Sequence, residues 1–331
     1  MREGERIMQA AGIRTLWVTA NPDESLARAI LAKLPDVAGT EPSKLKILTG
    51  LIDSAKLSLG VPGVVTAEVG VARHGSAAVP ASAAEAFKAA LVTATDAIVD
   101  DGGTGLVIFV DEIQSADRES LRVIAYSWQE LSSERPGTPA GIFGAGLPNS
   151  PETIAAAVTF SERFDYRPLP ALSDDDVALA LVAPAQDAGV RWDPAALRLA
   201  VQSAGGYPHK VQVIGHECWR AAGWPDPGAM ITEETVKAAL VDVERQMTEL
   251  FRARWNSVTR AEREVLHAMA ALGGHDVKRE DLAAALGKST VAISGSRARL
   301  LRKGIIESSR FGYLSFSVPG FTEYILESEP G

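Results

Sequence analysis

A chain of 331 residues is long enough for about two domains of ordinary size, each with its own hydrophobic core. Its hydrophobic content of 46% and the lack of any run of about 18 apolar residues predict a soluble globular protein without a membrane span. The first residues contain no apolar signal-peptide core, so we expect a cytoplasmic protein. A single cysteine, Cys218, excludes an internal disulfide, and a net charge of −9 argues against a protein that coats nucleic acid over its whole surface.

Strand and helix patterns alternate through the first half of the chain. Short apolar runs predict strands at residues 13–19 and 106–110 and another buried strand at residues 140–145. Residues 163–168 are a last short strand candidate. Apolar residues at helical spacing predict helices at residues 26–34, 82–99 and 118–131. Alternation around Val61-Pro62-Gly63 predicts a β-hairpin. Because strands that alternate with helices form parallel sheets, we expect an α/β domain over residues 1–170.

The strand at residues 106–110 runs directly into two carboxylates, Asp111 and Glu112. An apolar run without alternation predicts a strand buried on both faces, and α/β sheets place their functional groups at the C-terminal ends of such strands. An Asp there can hold Mg²⁺, and a Glu one residue later can orient or deprotonate an attacking water. The pattern is that of a Walker B segment. The alternative is a buried strand that ends in a solvated acidic turn.

The second half of the chain changes to helical patterns from Ser173 to about residue 304. Ser173 and the three aspartates after it predict a helix start, and Gly205-Gly206-Tyr207-Pro208 predicts a turn between two helices. We expect an all-helical lid over residues 171–250. After Thr259, three helical patterns and a terminal hairpin predict a winged helix-turn-helix domain over residues 251–327.

The turn Gly287-Lys288-Ser289 ends like a phosphate-binding loop, whose pattern is G-x-x-x-x-G-K-[ST]. The pattern fails because Leu282 stands where the first glycine belongs, and a helix precedes it instead of a strand. The sequence contains no other match to the pattern. Asp111 and Glu112 would therefore lack the Walker A loop that cradles the β- and γ-phosphates.

The order of these features is more specific than any one of them. A strand ending in Asp-Glu, a strand ending in Gly-Ala-Gly, an arginine before the last strand, a lid with Gly-Gly-Tyr-Pro and a winged helix follow one another. This order resembles the AAA+/STAND class of P-loop ATPases, close to bacterial ATP-binding proteins with an Orc1/Cdc6-like ATPase domain. The resemblance covers nearly the whole chain and implies an AAA+-like parallel-sheet core that binds ATP and Mg²⁺.

The resemblance also implies roles for residues of the core. Asp111 would be the Mg²⁺-side carboxylate and Glu112 the water-activating one, with Gln114 in the nucleotide-binding set. Arg163 would reach the γ-phosphate, in cis or across an oligomer interface. The alternative for Arg163 is a surface salt bridge.

Two further positions are compared with the family pattern. Gly206 and Pro208 match the Gly-x-Pro by which STAND lids touch the nucleotide, and the alternative is a plain turn between helices. The family often has a polar residue at the tip of the strand matching 140–145, where it senses the γ-phosphate. This chain has Gly144-Ala145-Gly146 there, with Asn149 several residues on.

The sequence differs from the family pattern at its N-terminus. Its members have a strand, the glycine-rich loop and a helix before the strand that matches residues 13–19, whereas this sequence starts inside that helix. Two explanations stay open: the natural product begins upstream of Met1, or the protein is a degenerate, non-hydrolysing relative. The family's first strand lies between those at 140–145 and 163–168. We therefore expect open strand edges, aggregation of this chain alone, and weak or absent ATP binding.

Basic residues are concentrated in the last segment. Residues 251–327 include twelve basic and eight acidic side chains, a net charge of +4, so the rest of the chain carries −13. Such asymmetry allows phosphate contacts from this segment. The candidates for contact with DNA are Lys288, Arg297, Arg299, Arg302 and Lys303. Alternatively, the winged helix docks a protein or acts as an intramolecular clamp.

Two functional hypotheses follow. The first is a cytoplasmic ATP-dependent switch, in which bound ATP or ADP controls the winged helix and, through it, DNA, a protein partner or a second copy of the chain. The second is a non-enzymatic interaction or regulatory protein that retains the architecture and has lost nucleotide binding. Neither hypothesis involves a membrane.

Overall fold

The structure, a computed structural model, describes residues 1–39, 50, 82–310 and 312–327. The hairpin predicted around Val61-Pro62-Gly63 lies outside the described residues. The chain divides into two compact units, Met1–Tyr166 and Arg167–Gly331. In the described parts of both units, no helix is long and apolar enough to cross a membrane.

The first unit is an α/β structure in which strands and helices alternate, as predicted. Its helices are α1 (Arg2–Ala10), α2 (Leu26–Val37), α3 (Ala83–Asp100), α4 (Arg118–Glu134) and α5 (Ser150–Ala157). Its strands are β1 (Ile13–Thr19), β2 (Gly105–Asp111) and β3 (Ala140–Gly144). Ser25, Ser82 and Asp117 cap α2, α3 and α4 by accepting a hydrogen bond from a backbone N–H of the first turn.

The three strands form a parallel sheet in the order β1-β2-β3. The register aligns Leu16 of β1 with Ile108 of β2, and Ile108 with Ile142 of β3. This face of the sheet packs on α2, α3 and α4 in a core where Ile30 and Phe87 are fully buried. β2 is buried along its whole length except at Asp111, which confirms the prediction of a central strand covered on both faces.

The opposite face of the sheet carries a row of aromatic rings. Trp17, Phe109 and Phe143 lie side by side on the three strands, with neighbouring ring centroids 5.5 and 5.8 Å apart. α1 lies over part of this face, because the Arg2 guanidinium sits 3.9 Å from the centre of a Trp17 ring. No residue of α1 is buried, and Phe143 at the end of the row is 50% exposed.

Two predictions for this unit are wrong. The predicted buried strand at residues 140–145 is an edge strand, half-buried or exposed, because no described strand pairs with its far side. Residues 163–168, all of them described, form no strand; a 3-10 turn at Ser161–Arg163 leads into irregular chain. Phe164 and Tyr166 pack with Phe160 against α4 and α5 instead. Their apolar character therefore serves side-chain packing.

The second unit begins with a helical part. It contains α6 (Asp174–Asp187), α7 (Pro194–Ala204), α8 (Pro208–Ala221) and α9 (Glu233–Asn256). Two short strands, β4 (Arg191–Trp192) and β5 (Met230–Ile231), form a parallel pair where the sequence predicts only helices. Ser173, Asp193 and Thr232 cap the helices that follow them.

The C-terminal part of this unit contains the predicted three helices and hairpin. The helices are α10 (Arg260–Ala271), α11 (Arg279–Ala285) and α12 (Thr290–Arg302), followed at the end by α13 (Phe321–Glu327). The strands β6 (Val277–Lys278), β7 (Ile306–Arg310) and β8 (Tyr313–Phe316) form an antiparallel sheet in the order β6-β8-β7. A capping box of Thr259 and Glu262 begins α10. β6 and α13 are additions to the prediction.

One hydrophobic core runs through both parts of the second unit, and α9 belongs to both. This 24-residue helix buries a single stripe of side chains from Val236 to Trp255. The ring of Phe251, near the end of α9, packs against the tilted rings of Phe321 and Tyr324 of α13. The predicted domain boundary between residues 250 and 251 therefore falls inside a continuous helix that is packed on both sides of it.

Candidate nucleotide site and basic helix

The two carboxylates predicted to hold metal and activate water follow the central strand. Asp111 is the last residue of β2 and is half-buried, and Glu112 comes next and is exposed. The Ala20 N–H donates to the Asp111 carbonyl at 2.8 Å, and the Ala145 N–H donates to the Val110 carbonyl at 2.8 Å. The segments that leave β1 and β3 thus flank the end of β2, at the edge where parallel sheets collect functional groups.

The backbone turns sharply at Glu112. This residue has φ 54° and ψ 39°, in the left-handed region that non-glycine residues rarely adopt. The Glu112 N–H donates to Asp111 Oδ1 at 3.1 Å, and the Ile113 N–H donates to the Ala145 carbonyl at 3.0 Å. These bonds maintain a conformation that costs about 1–2 kcal/mol, and such strain is frequent at functional sites.

Gln114, predicted to bind nucleotide, uses both ends of its amide within the protein. Its Nε2 donates to Glu112 Oε2 at 2.5 Å, and its Oε1 accepts from the Leu147 N–H at 3.0 Å. A Cβ at Gly146 would lie 2.3 Å from Gln114 Oε1, so a larger residue there would displace the Gln114 amide. Gln114 therefore ties the acidic turn to the loop after β3 and fixes the Glu112 carboxylate.

Asn149 is a residue whose position the sequence does not reveal. It is 7% exposed, and its side-chain oxygen has no hydrogen-bond partner in the parts of the chain that the structure describes. Asn149 precedes α5, in the loop that Gln114 holds. Because an unsatisfied buried oxygen costs about 1–3 kcal/mol, this position is unfavourable unless a donor reaches it. The only signal in the sequence is a polar residue three positions after Gly146.

Arg163 is exposed at the end of the 3-10 turn. Its guanidinium carbon lies 6.0 Å from the centre of the Phe160 ring. Among the described residues, neither a hydrogen bond nor an ion pair joins Arg163 to Asp111 or Glu112. The predicted contact with a γ-phosphate therefore stays a prediction, and the described contacts do not supply the alternative salt bridge.

Gly206 and Pro208 belong to the second unit, where their positions have a structural cause. Gly206 has φ +72°, its carbonyl accepts from the Leu172 N–H at 2.9 Å, and a Cβ there would lie 2.6 Å from the Leu172 carbonyl oxygen. Pro208 is the first residue of α8, a position that suits its fixed φ. Close backbone approach and helix initiation explain both residues, and their contact with nucleotide stays a prediction.

Three of the basic candidates for DNA contact, Lys288, Arg299 and Lys303, form ion pairs with described residues of the second unit. Arg299 Nε donates to Glu262 Oε1 at 2.8 Å, and Lys303 Nζ donates to Glu262 Oε2 at 2.8 Å. Lys288 Nζ lies 3.1 Å from Glu264 Oε2 on the surface. Arg299 and Lys303 therefore stabilise a carboxylate of the same unit, a role that the charge count does not predict.

Glu262 is fully buried at the start of α10. Burial alone would raise its pKa, but Lys303, the Thr259 N–H and Arg299 all favour the charged form and lower the pKa to about 2. The carboxylate also completes the capping box with Thr259. Glu262 is thus charged at every ordinary pH and fixes one side of α12.

The remaining basic candidates of α12 are Arg297 and Arg302. Arg302 is exposed and forms no ion pair with any described residue, whereas Arg297 is half-buried. Arg302 is therefore the side chain of this helix best placed to meet an external phosphate.

Cys218 is fully buried, and burial raises the pKa of its thiol to about 12, as expected of a small core residue.

The acidic turn fits Mg²⁺ held together with phosphate. No described cation pairs with Asp111 or Glu112, so their charge is available. In the described residues, no group of three or more His, Cys, Asp or Glu side chains is placed to hold a metal ion. Mg²⁺ needs only one or two protein carboxylates when phosphate oxygens and waters complete its shell, and Asp111 meets that need.

Among known proteins, one family model matches part of this chain. Residues 248–325 match a family described as a domain of unknown function (DUF8462), which covers less than half of the chain. A search of curated proteins gives no match.

Among solved structures, the Thermotoga maritima RuvB Holliday junction branch migration motor is 15% identical, with 88% of this chain and 97% of that chain covered and a TM-score of 0.37. The Aeropyrum pernix Orc1 protein in complex with DNA is 15% identical, with coverages of 99% and 81% and a TM-score of 0.40. Cdc6p from Pyrobaculum aerophilum is 11% identical, with coverages of 95% and 78% and a TM-score of 0.39. At such low TM-scores, these similarities support no conclusion about this chain.

Proposed function

We propose that this protein is a nucleotide-dependent molecular switch of the AAA+ type, with the Mg²⁺ of a bound nucleotide held at the C-terminal end of β2. One observation carries the proposal. Asp111 ends a central, buried parallel strand, and Glu112 follows it in a strained left-handed turn, with no described cation to neutralise either carboxylate. This arrangement suits a divalent cation that also binds phosphate.

The proposed roles follow from the contacts of each residue. Asp111 would hold Mg²⁺, which would supply positive charge next to a bound phosphate. Glu112 orients a water and accepts its proton. Gln114 positions the Glu112 carboxylate through its amide hydrogen bond. Asn149 supplies a buried oxygen that can accept a hydrogen bond from a ligand or a bound water.

The C-terminal part of the second unit is the proposed output of the switch. Its three helices and antiparallel hairpin are consistent with a winged helix. Arg302 and Arg297, with Lys288, are the proposed contacts to DNA phosphates. Arg299 and Lys303 are weaker candidates because they pair with the buried Glu262.

A second candidate function is an interaction protein that does not bind nucleotide. The sequence favours it because no G-x-x-x-x-G-K-[ST] occurs in these 331 residues. Internal contacts also account for Gln114 and Gly206 without any nucleotide.

Calorimetric titration with Mg-ATP separates the two functions. We expect weak binding by the chain and a several-fold weaker signal for Asp111→Asn, because the metal loses its protein ligand. Glu112→Gln keeps the binding and loses any hydrolysis, since the amide cannot accept the proton of the water. The same titration with EDTA should abolish the difference between Asp111→Asn and the unsubstituted chain. If no binding occurs at millimolar nucleotide, the second function stands.

A further inference from the structure

The chain segments that leave β1 and β2 run beside each other to the helices that follow. Thr19, the last residue of β1, pairs with Asp111 in the register of the sheet. Directly after β1, the Ala20 N–H donates to the Asp111 carbonyl at 2.8 Å. The same number of residues then separates Thr19 from Ser25, which caps α2, and Asp111 from Asp117, which caps α4. The two helices therefore begin at matching distances from the sheet.

The first turn of α2 is capped by side chains from the start of α4. The Leu26 N–H donates to Asp117 Oδ2 at 3.1 Å, and the Ala27 N–H donates to Ser120 Oγ at 2.9 Å. The Ser120 hydroxyl also lies 3.0 Å from the Ser25 hydroxyl. N–H groups in a first turn have no acceptor within their own helix, and both Leu26 and Ala27 are buried. These two N–H groups therefore depend on α4 for their hydrogen bonds.

Asp117 divides its two carboxylate oxygens between the two helices. Oδ1 accepts from the Ser120 N–H of its own helix at 2.8 Å, and Oδ2 accepts from the Leu26 N–H of α2. An N-cap needs only one side-chain oxygen, which the amide of an asparagine also supplies. The second oxygen of Asp117 is therefore not needed to cap α4, and its bond to α2 requires a separate explanation.

We propose that Asp117 and Ser120 are positioning residues for the acidic turn after β2. Their bonds to the Leu26 and Ala27 N–H groups, here called the α2–α4 brace, fasten the segment after β1 to the segment that carries the turn. On its other side, the acidic turn is tied by Gln114 to the loop after β3. Fixed from both neighbours of β2, the turn keeps its carboxylates in place for the ligand of the proposed function, on which this inference rests.

The α2–α4 brace supplies a reason why the strained backbone of the acidic turn persists. Glu112 has φ 54°, and such a conformation persists only where the surrounding structure holds it. Hydrogen bonds of the Asp111 carbonyl and the Ile113 N–H hold the beginning and the middle of the turn. Asp117 holds its far end against α2. Without this attachment the segment can move with α4, and Glu112 can relax toward the right-handed region.

Hydrogen exchange of the full chain, followed by NMR without nucleotide, tests the proposal. Asp117→Asn is the informative variant, because asparagine caps a helix as well as aspartate does but has only one side-chain oxygen. It keeps the bond to the Ser120 N–H and turns its amide NH2 group toward the Leu26 N–H. We expect the Leu26 amide to exchange about tenfold faster, as for the loss of one hydrogen bond to a charged group. The Ile113 amide should exchange several-fold faster, because the acidic turn is released.

Ser120→Ala is a second variant, in case Asp117→Asn fails to fold. Alanine fits the site because it is smaller, and it leaves the Ala27 N–H without its acceptor. The amides of Ala27 and Ile113 should then both exchange faster. The matched control is Ser82→Ala, because the Ser82 hydroxyl caps α3 and, among the described residues, braces no second helix. Its removal should speed exchange at the start of α3 and leave the Ile113 amide unchanged.

Three results would overturn the proposal. Unchanged exchange of the Leu26 amide in Asp117→Asn would mean that the second oxygen of Asp117 holds nothing. Faster exchange of Leu26 with unchanged exchange of Ile113 would mean that Asp117 caps α2 without positioning the turn. Equal affinities of Asp117→Asn and the unsubstituted chain for Mg-ATP would mean that the ligand site does not depend on the α2–α4 brace. If the unsubstituted chain binds no Mg-ATP, the proposed function fails, and the exchange results alone decide whether the brace positions the turn.

Discussion

The acidic turn after β2 and the basic helix α12 are both marked by charge in the sequence, but the structure uses their charges differently. In the acidic turn, no described cation pairs with Asp111 or Glu112, and the partner of Glu112 is the neutral Gln114. At the basic helix, Arg299 of α12 and Lys303, directly after it, are paired with a buried carboxylate. A charged residue is available to a ligand only where the fold does not already neutralise it, and this difference separates a candidate site from a structural ion pair.

The largest expected change in the free energy of unfolding follows from the removal of Glu262. Glu262→Ala should lower the free energy of unfolding by about 2–4 kcal/mol, because it removes a helix cap and the buried partner of two cations. Chemical denaturation measures the loss. Glu264→Ala is the control, since Glu264 forms an exposed pair with Lys288, and its loss should change stability by less than about 0.5 kcal/mol. Equal losses of stability for the two substitutions would mean that the buried Glu262 stabilises the unit no more than the exposed Glu264 does.

Acid should weaken the same interaction. The pKa of Glu262 is lowered from 4.5 to about 2, so its contribution to stability is complete above about pH 4.5 and is lost as the pH falls toward 2. The shift corresponds to roughly 3 kcal/mol at most. The difference in unfolding free energy between the unsubstituted chain and Glu262→Gln should therefore shrink between pH 5 and pH 2. A difference that does not change with pH would contradict the lowered pKa.

In the acidic turn, removal of the Gln114 side chain should lower the free energy of unfolding by less than removal of Glu262 does. Gln114→Ala leaves the Leu147 N–H without its acceptor and should cost about 1–2 kcal/mol of unfolding free energy. Gln129→Ala, at an exposed position of α4, is the control and should be nearly neutral. If the proposed function is right, Gln114→Ala also reduces hydrolysis more than nucleotide binding, because it frees the Glu112 carboxylate.

The smallest effect on stability is expected at Arg302. Arg302→Ala should change the free energy of unfolding by less than about 0.5 kcal/mol, whereas Arg299→Ala should lower it by about 1 kcal/mol. If the helix binds DNA, Arg302→Ala should also reduce the slope of log affinity against log salt by about 0.9, the value for one phosphate contact. Fluorescence anisotropy at several salt concentrations measures the slope. Absence of binding even at low salt would favour the docking or clamping role.

The sequence predicts those structural features that are determined by residues close together in the chain. The uninterrupted apolar run gives β2 and places Asp111 at its end, and the predicted helix start at Ser173 is found, with Ser173 as the cap. The order of features also gives an α/β unit followed by helices.

The errors concern contacts between distant residues. Whether β3 is central or at an edge depends on the strand beside it, which the composition of β3 does not reveal. Arg299 and Lys303 lie 37 and 41 residues from Glu262, so their pairing leaves no local pattern. The aromatic residues of 163–168 suit a strand or a packed loop equally well, and the packing of Phe160 decides between them.

The continuity of α9 has a consequence for how the second unit opens. A helix of 24 residues that contributes to the core along its whole length provides no flexible linker at which the two parts could separate. Local opening of the C-terminal part would have to break the packing of Phe251 on Phe321, so it is coupled to melting of the end of α9. Backbone amides in the middle of α9 should therefore exchange with deuterium only when the whole unit unfolds, and both parts should lose protection in one cooperative step.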